Sequence, residues 1–195
     1  MGSSEPPLCV DLDGTLIRED TLRLSVVGLL RRAPWLAPCL PLVLLRGRAP
    51  FKAWIARRFV PDPATLTWRS NVVDFVRRER ARGRKVVLAT AAHVLVADAV
   101  ARYLGLFDVV VATTDTHNAK AGRKVESIRK SLGDNMFDYI GDSVADLPVF
   151  RAARISYAVE PSPVLLHSLR EGARLGGVFT DGAPTEGAAE GKRPA

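Results

Sequence analysis

Asp11 and Asp13 stand one residue apart in the run Leu8-Cys9-Val10-Asp11-Leu12-Asp13-Gly14-Thr15-Leu16, and no other pair in the chain is better disposed to do chemistry. An apolar stretch that reads as a buried strand precedes them, and Gly14 lets the chain turn away. Side chains alternate along a strand, so positions i and i+2 share a face. Both carboxylates therefore emerge together at the strand's carboxyl end, where open α/β sheets bind ligands. Such a pair suits a carboxylate nucleophile beside an acid/base, or two ligands of a hard cation.

Three further polar clusters fall at the ends of predicted strands, and each is a part that phosphoryl transfer from a monoester needs. Asp11 can attack phosphorus and form an aspartyl-phosphate. Asp13 can protonate the leaving alkoxide and then deprotonate the hydrolytic water. Thr90 can donate its hydroxyl to a phosphate oxygen, and Lys120 can neutralise charge on the phosphoryl group. Asp142 and Asp146, in Gly141-Asp142-Ser143-Val144-Ala145-Asp146, can complete an oxygen-rich Mg²⁺ site with Asp11 and the backbone carbonyl of Asp13. Taken singly, each has an ordinary explanation: Thr90 a helix cap, Lys120 a surface lysine, Asp142 and Asp146 a capping pair. Lys124, one helical turn on, rivals Lys120.

The elements that must position these groups alternate. Strands are predicted at Leu8, over 85–89 ending at Thr90, over 108–112, over 137–140 and over 155–159. Between them lie helices over 70–82, with Ser70 as N-cap, over 94–104, 120–132 and 144–153, and a last one opened by Ser162-Pro163. This pattern predicts an α/β protein with a doubly wound, mostly parallel sheet. The core is expected over 6–17 and 70–180. An all-helical insertion over 18–69 is placed to cover the ligand site, and the Gly-, Ala- and Pro-rich stretch 181–195 is expected to be a disordered tail.

Charge is concentrated in the insertion. From Arg18 to Arg69 there are ten Arg/Lys against three acids, an excess equal to the whole chain's formal charge of +7. That predicts an anionic partner near the insertion, a phosphorylated substrate or an acidic membrane surface, with nucleic acid not expected. Lys52, Arg57 and Arg58 flank a stripe of Phe51, Trp54, Ile55 and Phe59 that suits packing within the insertion better than an interfacial helix. The longest uninterrupted apolar run, 33–45, is too short to span a bilayer, which takes about 20 residues. The polar N-terminus has no features of a signal peptide. Cys9 and Cys39 offer no disulfide framework and no metal spacing, so both are expected as core or near-core thiols of a cytoplasmic protein. His93 is expected on a rim or surface at the substrate entrance, and Trp35 and Trp68 as packing residues.

DLDGTL, the strand-end Thr90, the lysine of Asn118-Ala119-Lys120 and GDSVAD together resemble the four signature motifs of the haloacid dehalogenase-like (HAD) superfamily. The resemblance implies a Rossmann-like core with a cap next to the site. A helical cap between the first and second motifs is similar to the phosphoserine phosphatase-like group. The Asn-Ala-Lys context in that group favours Lys120 over Lys124. True dehalogenases lack an aspartate at the position of Asp13, so its presence implies a phosphatase or phosphotransferase. The apolar-basic cap, LATAA around Thr90 and GDSVADLPV are also similar to the HAD domain fused ahead of UbiA-type membrane prenyltransferases. That second likeness associates the substrate with lipid-linked phosphate chemistry.

The expectation is a Mg²⁺-dependent phosphohydrolase acting on a small or lipid-linked phosphate monoester, with peripheral contact between its basic cap and anionic membrane. The alternatives are transfer of the phosphoryl group to an acceptor other than water, or a partner-binding module of a membrane prenyltransferase.

Overall fold

Strands and helices alternate along the chain in the computed structural model, which describes residues 5–115, 122–133 and 135–181. The strands are β1 (Leu8–Val10), β2 (Val86–His93), β3 (Val109–Thr113), β4 (Asp138–Gly141), β5 (Ser156–Val159) and β6 (Leu175–Phe179). They form one sheet in the order β3-β2-β1-β4-β5-β6, and every neighbouring pair is parallel. Strand order reverses between β1 and β4, which creates the crevice where doubly wound sheets take their ligands.

Between β1 and β2 come α1 (Thr21–Arg32), α2 (Cys39–Leu44) and α3 (Arg48–Ala56), and then α4 (Ser70–Ala81). The remaining helices are α5 (Val94–Leu104), α6 (Gly122–Leu132), α7 (Leu147–Ala152) and α8 (Pro163–Gly172). A parallel sheet buries both faces, and alternation sorts its side chains accordingly. Leu8 and Val10 of β1 pack toward α4 and α5 (Val72, Val76, Val96, Val100), whereas Cys9 joins Ile128, Phe150 and Leu165 of α6, α7 and α8. Burial pushes the Cys9 thiol up to about 12, so it behaves as a small apolar group.

The chain leaves and re-enters the core side by side around α1–α3. Arg18 N donates to the Thr67 carbonyl at 3.1 Å, and Arg69 N donates to the Leu16 carbonyl at 2.9 Å. Within the insertion, α1 lies so close to Phe59 that a Cβ on Gly28 would fall 2.2 Å from its ring. In α3, Ala53 and Ile55 are buried and Trp54 is half-buried beneath the Arg58 guanidinium, 4.0 Å from its ring centroid.

Several elements depart from the sequence reading. Strand β6 is not anticipated, because Gly176 and Gly177 interrupt its β signal. The first of these is required: a Cβ there would lie 2.5 Å from Ile155. Strand β2 runs past Thr90 to His93 through a register shift. Ser70 is the first residue of α4 rather than its cap, and the helix expected from 144 begins as a 3-10 turn, Val144–Asp146, ahead of α7. Trp68 stacks on Tyr103 at 5.7 Å as a packing residue, but Trp35 is exposed. Asp181 is held by ion pairs to Arg69 and Arg18, and the rest of the expected tail lies outside the described residues.

A buried ionic cluster closes the amino-terminal end of the sheet. Arg84 reaches the Pro6 carbonyl at 2.7 Å, Glu79 at 2.8 Å and Asp138, while Arg154 grips Asp138 at 2.8 and 3.0 Å. The Ile155 amide adds a third donor to Asp138 at 3.0 Å.

Candidate active site

The first strand ends at Val10, and Asp11 is placed just beyond it by a hydrogen bond that its backbone N–H donates to the Ile140 carbonyl of β4 at 3.0 Å. The chain then folds into a tight turn in which the amides of Thr15, Leu16 and Ile17 all point at the Leu12 carbonyl. Gly14 makes the turn possible in two ways. Its φ of 74° is left-handed, which disfavours side chains, and a Cβ there would sit 2.1 Å from Asp142 Oδ2. Asp142 follows β4 and accepts from the Thr15 hydroxyl at 2.9 Å, so the two strand ends are stitched together across the crevice.

Asp11 Oδ1 accepts from the Leu12 amide at 2.8 Å, and Oδ2 lies 2.9 Å from Lys124 Nζ. Lys124, only 1 % exposed in the first turn of α6, also lies 3.3 Å from Asp146 Oδ2 and donates to Tyr139 Oη at 2.7 Å. Tyr139 in turn donates to Asp146 Oδ2 at 3.0 Å. Burial alone would lower the Lys124 pKa. The Asp11 and Asp146 carboxylates outweigh it and raise the net value, so the ammonium stays charged.

Asp13 faces the other way, toward the insertion. Its Oδ1 accepts from the Thr21 amide at the start of α1 at 2.8 Å. Burial pushes Asp13 up to about 6, against the opposing Thr21 hydrogen bonds. A carboxyl with that value can give and take a proton near neutrality.

Two adjoining cavities meet at Asp13. One, of about 340 Å³, is bounded by Asp11, Asp13, Lys124, Asp142 and Asp146 at the strand ends. The other, of about 400 Å³, lies under the insertion between apolar walls (Leu22, Phe51, Ile55, Val96) with Arg48 and Lys52 among them. Lys52 also donates to the Ala91 carbonyl of β2, which ties α3 to the core beside the site.

The structure thus brings Asp11, Asp13, Asp142 and Asp146 around one opening. Thr90 is fully buried next to it, with Oγ1 accepting from the Ala92 amide at 3.0 Å, and Ala91 rather than Thr90 lines the wall. Lys120 lies outside the described residues; among the described residues, the lysine beside Asp11 is Lys124. His93 is buried rather than on the surface. It sits 3.1 Å from Asp115 and caps α5 by accepting from Leu95 N at 3.3 Å, because β2 continues inward past Thr90. Sequence reasoning missed Tyr139. The available signal was a tyrosine two residues before Gly141, where a Cβ would come within 2.6 Å of the Tyr139 ring.

The donor set suits a hard cation. Mg²⁺ is held by one or two carboxylates, with water and substrate phosphate completing the shell, and Asp11 and Asp142 at this opening could supply them. Burial, with Asp146 adding, raises the Asp142 pKa against the Thr15 hydrogen bond, as expected of a carboxylate short of positive charge. Among the described residues no three His, Cys, Asp or Glu side chains converge as ligands. Asp146 Oδ2 is engaged by Lys124 at 3.3 Å and by Tyr139 at 3.0 Å.

A family model described as haloacid dehalogenase-like hydrolase matches residues 39–151, more than half of the chain. With that match, and with a Rossmann-like parallel sheet, this chain belongs to the haloacid dehalogenase-like hydrolase family. It is 34% identical over 166 residues to y4nM, an uncharacterized protein of Sinorhizobium fredii (strain NBRC 101917 / NGR234). The match covers 85% of this chain and 32% of y4nM, so the chain spans about a third of the length of that curated relative. A protein of unknown function from Bordetella pertussis Tohama I has the same fold, with a TM-score of 0.67, 21% identity and coverage of 89% of this chain and 98% of that one. So does a phospho-aspartyl intermediate analogue of phosphoserine phosphatase, with a TM-score of 0.59, 16% identity and coverage of 91% and 94%. A CbbY mutant from Rhodobacter sphaeroides, in complex with xylulose-(1,5)bisphosphate, is similar at a TM-score of 0.61 and 18% identity, covering 87% of this chain and 92% of that one.

Proposed function

We propose that this chain is a Mg²⁺-dependent phosphohydrolase that cleaves a phosphate monoester through an aspartyl-phosphate, with 18–69 acting as a cap over the site. The observation that carries the reading is Asp11. It stands at the switch point of the sheet, paired with a buried lysine and open to a cavity that Asp13 and Asp142 share. A carboxylate oxygen of Asp11 attacks phosphorus and the bond to the leaving oxygen breaks, while Asp13 delivers its proton to that oxygen. Asp13, now a carboxylate, takes a proton from water. That water attacks phosphorus and releases inorganic phosphate, restoring Asp11. Lys124 holds positive charge beside the nucleophile throughout, and Asp146 and Tyr139 fix its position. Asp11, the Asp13 carbonyl and Asp142 would hold Mg²⁺, which when bound supplies Lewis-acid charge at the phosphoryl oxygens.

The phosphate of the substrate belongs in the opening at Asp11, and its organic part in the adjoining cavity. Apolar walls with Arg48 and Lys52 among them fit a leaving group with an apolar body and a further acidic substituent, as a small or lipid-linked phosphate can carry. Two reduced thiols, one of them fully buried, suit a cytoplasmic setting.

The test is hydrolysis of a phosphate-monoester panel with Mg²⁺, run beside Asp11→Asn and with added alcohols. Release of inorganic phosphate is expected, falling by on the order of 10⁴-fold or more in the variant. Turnover that survives Asp11→Asn would sink the mechanism. Phosphoryl transfer to the alcohol in preference to water would make the chain a phosphotransferase.

A further inference from the structure

From Arg31 to Arg48 no residue is buried, although most of the segment is apolar. Its thirteen central residues, 33–45, contain only Ala, Pro, Trp, Leu, Cys and Val, with no charge and no polar side chain beyond the thiol of Cys39. The 3-10 turn Pro34–Leu36 and helix α2 bury nothing at all. Trp35 is 72 % exposed, Leu42 65 % and Leu45 85 %. Exposed apolar side chains scattered singly need no explanation, but a continuous run of thirteen held off the core does.

Its surroundings carry one sign of charge. Arg31 and Arg32 precede the run, Arg46 and Arg48 follow it, and no acidic residue occurs between Asp20 and Asp62. We infer that residues 33–45 are a membrane-docking surface, seated in the interface of an anionic bilayer with Arg31, Arg32 and Arg46 on lipid phosphates. Among the described residues no helix is long and apolar enough to cross a membrane, and thirteen residues fall short of the roughly 20 a span requires. Insertion to headgroup depth fits that length, with tryptophan and leucine below the arginines. A protein partner selects a complementary face with matched charges, whereas this segment offers cations alone. Near an anionic leaflet each such arginine favours binding by about fivefold.

The stripe on α3 packs inward through Ile55, as its pattern favoured, and the apolar residues left exposed are those of the preceding turns. Leu44 and Arg48, at the end of the docking segment, also line the 400 Å³ cavity. On the phosphohydrolase reading, and only on it, docking sets that cavity against the headgroups, where a phosphate carried on a bilayer-resident lipid would enter.

The experiment is flotation of the chain with phosphatidylcholine vesicles, with and without phosphatidylserine, at low and high salt, for the wild type and Leu42→Asn/Leu45→Asn. Both leucines are exposed, so the double variant keeps the fold and the hydrolysis of small water-soluble monoesters. Binding to the phosphatidylserine vesicles is expected, weakened by salt and falling about tenfold or more in the double variant. Tryptophan emission should shift to the blue on binding, and Trp35→Phe should remove most of that shift. Absence of binding at low salt, or binding unchanged by the leucine substitutions, overturns the proposal. So does a dimer in solution that the same substitutions dissolve, since a second copy would then be the occupant. Asp11→Asn should bind vesicles like the wild type, so docking and catalysis fail separately.

Discussion

Two buried ionic clusters sit at opposite ends of the same parallel sheet, and their charge balance differs. At the amino-terminal end, Arg84 and Arg154 meet Glu79 and Asp138, with every charge answered by a neighbour within hydrogen-bonding reach. At the carboxyl-terminal end, Asp11, Asp13, Asp142 and Asp146 line one opening, and among the described residues the buried cation there is Lys124, paired with Asp11 and Asp146. A closed cluster holds parts of a fold together. An open one stores unbalanced charge, and a folded protein keeps such a cluster where a cation or a reacting group completes it. Both lie in comparably buried surroundings, so burial alone does not distinguish them. The surplus of carboxylates does.

Removing the cation of each cluster should separate their roles. Lys124→Ala should lower kcat/KM by on the order of 10²–10³-fold in the folded fraction, with Lys120→Ala far milder. Equal losses, or the reverse order, would return the third motif to Lys120. Arg84→Met leaves Asp138 to Arg154 alone and Glu79 to the exposed Arg82, and should cost up to about 3–5 kcal/mol of stability, read by urea unfolding, with kcat unchanged. A catalytic loss larger than the stability loss would erase the distinction between the two ends.

Mg²⁺ should act on one end alone. At a hundredfold excess over its Kd it should stabilise the wild type by about 2.7 kcal/mol, seen as a rise in Tm. Asp142→Asn should abolish that rise and Arg84→Met should leave it intact. The smallest effect belongs to Tyr139→Phe, which removes two hydrogen bonds, the one accepted from Lys124 and the one donated to Asp146. About tenfold in kcat is expected, for a bond to charged groups worth about 1.5–3 kcal/mol, with KM little changed.

The open cluster was legible in the sequence because its parts follow strands. Asp11, Asp13 and Asp142 each stand just past an apolar run, where sheet topology brings the strand ends together, although β1 ends at Val10 and the turn aims Asp13 away from Asp11. Lys124 was harder to read. A helical lysine is placed by the start of its helix, and α6 begins at Gly122, which turns Lys124 rather than a surface position onto Asp11. Tyr139 was hidden by its strand, where an aromatic residue reads as core; its hydroxyl finds Lys124 only because Gly141 leaves room for the ring. The closed cluster was not legible at all. Glu79, Arg84, Asp138 and Arg154 carry no spacing signal and meet only once the sheet is assembled. The edge strand β6 was lost to its own glycines, and the exposed turns over 33–45 could not be told from a buried helix by hydrophobicity alone.

Reductive trapping measures the central claim most directly. The chain is allowed to turn over a phosphate monoester or acetyl phosphate with Mg²⁺, quenched with tritiated borohydride, and mapped by peptide. An acyl phosphate on the open cluster predicts label on the peptide that contains Asp11, dependent on Mg²⁺ and absent from Asp11→Asn. Label at another carboxylate, or steady turnover with none, would contradict it.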